Sequence, residues 1–111
     1  MTKIYLEKDE VFGYGKINVS GHSGYSDEGS DIICAYVSSS CELIMSILMD
    51  ELCADVETDI NPEKAFVGLV IPATHNNTEK AQVISCCVKG FARQMKEFSK
   101  QFPQFVSITI A

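Results

Sequence analysis

A chain of 111 residues is long enough for one domain, residues 1–111, with a single core between a sheet and a few helices. Its 46% hydrophobic and 22% charged residues are those of an ordinary soluble protein, and no apolar run approaches the roughly 18 residues of a membrane span, so no membrane partner is expected. The net charge of −6 is unevenly placed, with ten acids and no lysine or arginine from Ile17 to Glu63 but six basic residues against two acids from Lys64 onward. That argues against direct nucleic-acid binding by the first half and for a basic peptide partner, the alternative being two solvated faces.

Lys3 to Glu7 alternates, with Ile4 and Leu6 on one face, and predicts a half-buried strand. Lys8 to Glu10 is polar enough for a hairpin turn. Phe12 to Ser20 supplies a second strand with Ile17 and Val19 inward, and Gly13 and Gly15 mark a bulge or a close neighbour. This strand ends at Gly21-His22, which carries the histidine to the sheet edge. Residues 21–30 are too glycine-rich and polar for strand or helix and read as a mobile loop, ordered only with substrate. Asp31 then caps a helix running to about Asp55, with Ile33, Val37, Cys41, Ile44, Ile47, Leu48 and Leu52 as its apolar stripe.

Val56 to Ile60 predicts a short strand or extended link, Asn61-Pro62 a turn, and Ala65 to Ile71, apolar on both faces, a central strand closed by Pro72. Asn77 or Thr78 caps a second helix. There Ile84, Cys87, Val88, Phe91, Met95, Phe98 and Phe102 recur at intervals of three and four. Pro103 ends it, and Phe105 to Ile110 forms a last alternating strand. The order ββα, β or ββ, then αβ predicts an α+β fold: a mixed sheet of four or five strands with two long helices packed on one face.

The charged N-terminus MTKIYLEKDE lacks an apolar signal core, and the five cysteines have no framework spacing, so a reduced, cytoplasmic setting is expected. Cys41, Cys53, Cys86 and Cys87 continue helical stripes and read as buried small hydrophobes. Cys34 is different. It falls in the first turn of the predicted helix, where unpaired N–H groups and the helix dipole favour the thiolate. The glycines at 21, 24 and 29 let His22 fold back to within proton-transfer reach. A cysteine nucleophile with a histidine base is the chemistry this pair suggests. Asp31 reads as a cap, and Ser38 lies one turn after Cys34 on the same helix face. His75, in a polar loop, reads as solvated.

Gly21-His22, Gly24, Gly29, Asp31-Ile32-Ile33-Cys34-Ala35 and Val37-Ser38 closely resemble the motif of the ribosomal-processing cysteine proteases. The resemblance implies that His22 and Cys34 are the catalytic pair and that Ser38 matches a serine of the family motif. Ser23 and Ile33 stand where the family usually has alanine and valine. It further implies a homodimer that removes a short N-terminal extension from a large-subunit ribosomal protein, with bulky aromatics before the cut. The oxyanion donors expected here are the N–H of Cys34 and one from the 21–30 loop.

No cysteine or histidine pair has the spacing of a zinc site, and no glycine run has that of a phosphate loop, so neither metal nor cofactor is expected. Two other readings stand beside the protease: a non-enzymatic ribosome-associated peptide-binding module using the acidic face, and a thiol redox sensor.

Overall fold

The structure, a computed structural model, describes residues 1–21, 28–72 and 78–111. Five strands, β1 (Thr2–Asp9), β2 (Gly13–Ser20), β3 (Glu57–Asn61), β4 (Phe66–Val70) and β5 (Val106–Ile110), form one sheet in the order β3-β4-β2-β1-β5. β1 pairs with β5 in parallel and with β2 antiparallel; β4 pairs antiparallel with both β2 and β3. The sheet is therefore mixed, as expected, and α1 (Glu28–Met45) and α2 (Thr78–Gln101) cover one face of it.

The hairpin from β1 to β2 shows why glycine recurs there. Asp9 Oδ1 accepts the N–H groups of Val11 (2.7 Å) and Phe12 (2.9 Å), closing the turn, and Phe12 is fully buried. The register slips between Glu7 and Lys8, leaving Gly15 as the extra residue of a bulge beside the Asp9 side chain.

The period-2 and helical patterns meet in one core. Ile4, Leu6, Ile17, Val19, Leu69 and Val106 from the sheet pack under Ile33, Val37, Cys41, Ile44 and Leu48 from the first helix and Ile84, Val88, Phe91 and Met95 from α2. Tyr36 and Phe98 stack across the two helices with ring centroids 6.0 Å apart.

Three expectations are corrected. The first helix starts at Glu28, not after Asp31, so Asp31 lies inside it and Glu28–Ser30 belong to helix rather than loop. After Met45 it continues as a π-helical turn, Ser46–Glu51, with Leu52 N–H bonded to Ile47 C=O at 2.9 Å and Cys53 at φ +49° ending it. Finally, Ile32–Glu51 is long and apolar enough, by length and composition alone, to cross a membrane. Its inner stripe is spent on the sheet, yet Ile32, Tyr36, Leu43 and Met49 on its outer side are exposed.

Candidate active site

One end of the sheet opens into a groove of about 330 Å³, floored by Thr2 and Val19, flanked by Cys34, Ser38 and Cys41 of α1, and closed opposite by Ile60, Ala65 and Phe66. Its far wall is a tight turn. Asn61 Oδ1 accepts the Lys64 N–H at 3.1 Å over a 3₁₀ turn, Pro62–Lys64, and Ala65 takes a left-handed φ of +48°. Ala65 C=O then accepts the Gly21 N–H at 3.0 Å, so this turn fixes the end of β2 where the chain leaves for His22.

Gly21 is required there: at φ +85° a Cβ would lie 2.6 Å from the Met1 carbonyl oxygen. A length of wall, a thiol and mostly apolar side chains make a groove suited to an extended peptide.

Cys34, half-buried, lines this groove. It is the seventh residue of α1 rather than a member of the first turn. Its N–H therefore belongs to the helical ladder and does not serve as an oxyanion donor, and the helix dipole acts on it less than expected, since that effect falls off within the first turn. What stands against its sulfur is a residue that sequence reasoning missed. Thr2 Oγ1 lies 3.8 Å from Cys34 Sγ, within reach of a bond to sulfur, and Thr2 is only 2% exposed. The signal was present, because Thr2, Ile4 and Leu6 share the inward face of β1.

Ser38 is exposed at the groove rim, one turn past Cys34. Gly29 and Asp31 are in the first turns of α1, and Gly21 at its glycine-only bend. His22 and Gly24 lie outside the described residues, as do His75, Ser23 and Asn77.

The expectation that the remaining cysteines are all buried is corrected: only Cys41 is, while Cys87 is half-buried and Cys53 and Cys86 are exposed. Cys86 lies between the inward positions Ile84 and Val88 on α2, and Cys53 follows the π turn, so neither reaches the core. Cys41 shares the groove with Cys34, but burial, helped by the nearby Glu42 charge, pushes its thiol up to about 11. Burial, and secondarily Cys86, also raise Cys87. Among the described residues no three histidine, cysteine or acidic side chains converge as a metal site would require.

The basic residues gather elsewhere. At the opposite end of β1, a wider groove of about 640 Å³ is lined by Lys8, Lys89, Arg93, Lys96 and Lys100 with Asp9, Glu10 and Glu97. Lys96 Nζ meets the Tyr14 hydroxyl at 3.1 Å there.

The model of one protein family, described as cysteine protease Prp, matches residues 1–107. Among curated proteins none matches the sequence. Among solved structures, a protein from Streptococcus mutans, SMU.848, superposes with a TM-score of 0.83 at 17% identity, over 99% of this chain and 93% of its own. The essential ribosomal processing protease Prp from S. aureus in complex with a substrate peptide gives 0.84 at 9% identity, over 100% of both chains. The same enzyme with a covalently linked product peptide gives 0.81 at 11% identity, again over 100% of both. At these identities the superpositions establish the shared fold.

Proposed function

The chain belongs to the cysteine protease Prp family, and from that premise we propose that it is an endopeptidase with Cys34 as nucleophile and His22 as general base and acid. The observation that carries this reading is the position of Cys34. Of the two thiols lining the peptide-sized groove, Cys41 is buried and its thiol pushed up to about 11, whereas Cys34 is half-buried and sits at the sheet end where Gly21 hands the chain to His22.

His22 takes the thiol proton, and the sulfur bonds to the peptide carbonyl carbon. Collapse of the tetrahedral adduct breaks the C–N bond, and the leaving amine receives the proton from His22. Water, deprotonated by His22, then attacks the thioester, releasing the carboxylate and restoring the sulfur. With the N–H of Cys34 inside α1, the other expected donor, one N–H from residues 21–30, remains the candidate for the oxyanion.

The substrate is the N-terminal extension of a large-subunit ribosomal protein. Two observations support this: the S. aureus relative is a ribosomal processing protease crystallised with its peptides, and the one charged residue on the groove wall, among those described, is Glu42, in the half of the chain that holds ten acids and no lysine or arginine from Ile17 to Glu63. The site works in a reducing, cytoplasmic setting, which keeps Cys34 a thiol. The enzyme acts as a homodimer, because Ile32, Tyr36, Leu43 and Val83 leave the outer faces of both helices apolar, with a shallow groove of about 200 Å³ between them beside Leu43, Ile47 and Phe91.

The decisive assay is cleavage of the extended ribosomal protein by wild type, Cys34→Ala and His22→Ala. Both variants should fold normally and lose turnover by a factor of about 10³ or more. Near-normal cleavage by either one would remove that residue from the mechanism.

A further inference from the structure

We propose that Thr2 is a positioning residue of the protease site: its hydroxyl donates to the Cys34 sulfur, favouring the thiolate and fixing its direction in the groove. The inference rests on the reading of Cys34 as nucleophile and adds a defined contact to it, because Cys34 lies too far along α1 to gain much from the helix N-terminus.

The geometry carries it. Oγ1 is 3.8 Å from Sγ, a distance at which the larger sulfur atom still accepts a hydrogen bond. Thr2 is the one buried polar residue among those described, so its hydroxyl meets the half-buried sulfur from the protein side of the groove, where water competes less and a charge-assisted bond is stronger. The hydroxyl is also held in place. Thr2 N–H donates to Phe105 C=O at 2.8 Å, its Cα pairs with Val106 in the parallel ladder, and a β-branched side chain has little χ1 freedom.

In the resting thiol either atom can be the donor. Once His22 has taken the thiol proton, sulfur only accepts, and the hydroxyl turns its own O–H toward it. The threonine proton is never transferred; it lowers the free energy of the thiolate and so pulls the sulfur pKa down.

A purely structural Thr2, present to fill the end of β1, predicts something different. Then Thr2→Val, equal in shape and suited to a strand, would leave the sulfur chemistry untouched.

The test measures alkylation of Cys34 by iodoacetamide from pH 5 to 9, with labelled peptides mapped, in wild type, Thr2→Val, Thr2→Ala and Thr2→Ser. Thermal melts and the kcat and KM of peptide cleavage accompany it. Removing the hydroxyl should move the inflection of the Cys34 profile up by about one unit. Below the inflection the rate should then fall about threefold, because a tenfold loss of thiolate is partly offset by a more nucleophilic sulfur. kcat should fall with KM nearly unchanged, and Thr2→Ser should restore the wild-type profile.

An unmoved inflection in a folded Thr2→Val or Thr2→Ala protein overturns the proposal, as does a Thr2→Ser protein no better than Thr2→Val. Retained cleavage by Cys34→Ala is a separate result, which would remove the nucleophile itself and the role of Thr2 with it.

Discussion

Gly21 holds φ +85° with the Met1 carbonyl oxygen 2.6 Å from where a Cβ would stand, whereas Gly90, in mid-α2, has nothing within 4 Å of that position. The same substitution should therefore have opposite signs at the two sites. Gly21→Ala combines left-handed strain with a backbone clash and should cost about 2–3 kcal/mol. Gly90→Ala should stabilise by about 0.5–1 kcal/mol through helix propensity. Urea denaturation of both variants reads this directly; equal midpoints would show that Gly21 is not a constrained hinge. Cys41 gives a pH signature at the same scale. Its folded-state pKa is raised from 9.0 to about 11, so the fold binds the thiol proton more tightly than the unfolded chain does. That stability is fully present below pH 9 and disappears as pH rises from 9 to 11, amounting to about 2–3 kcal/mol. The wild type should thus lose stability relative to Cys41→Val across that window, and parallel curves for the two proteins would contradict the burial argument.

At the scale of elements, what could be read from the sequence was what depends on local periodicity. The stripe Ile84, Val88, Phe91, Met95 and the alternation of Ile4 with Leu6 both describe the observed core. The misjudged start of α1 came from the opposite situation. Gly29 and Ser30 are poor helix formers and Asp31 is a good cap, so local chemistry favours a start at Asp31, but the helix extends back to Glu28. The apolar stripe continues through the π turn at Leu48 and Leu52, so a side-chain pattern does not register the change in backbone bonding. Nor does any local pattern state that β5 lies parallel to β1, since that pairing is decided by the crossover through α2. The contact of Thr2 with Cys34, 32 residues apart, follows from that long-range assembly. The outer side of α1 has its own consequence. Leu43 is 63% exposed, so Leu43→Glu should leave the monomer fold intact while splitting the proposed homodimer. Sedimentation of wild type and variant checks it, and an unchanged mass would place any self-association elsewhere.

Over the whole molecule, charge is sorted along the sheet. β1 begins at Thr2, beside Cys34, and ends at Lys8 and Asp9 in the basic groove, seven residues on, or roughly 23 Å at about 3.3 Å per residue. That separation is more than twice the screening length of about 8–10 Å near physiological salt, so the cations at the far end do little to cancel the charge of Glu42 on the wall of the proposed cleavage groove. A cationic ribosomal extension should therefore be drawn to the Cys34 end. Attraction over this range raises encounter and binding; it does not select a bond, which falls to the apolar wall of Ile60, Phe66 and Val67 opposite Cys34. The two contributions separate in one experiment, using a peptide with bulky aromatics before the cut and a second peptide in which they are replaced by alanine. Between about 50 and 300 mM salt the first should lose kcat/KM several-fold through KM, with kcat nearly constant. The second should be cut poorly at every salt concentration. Equal cleavage of both peptides would end the case for the apolar wall as the specificity element. A flat salt series would reduce the ten acids between Ile17 and Glu63 to a solvated face.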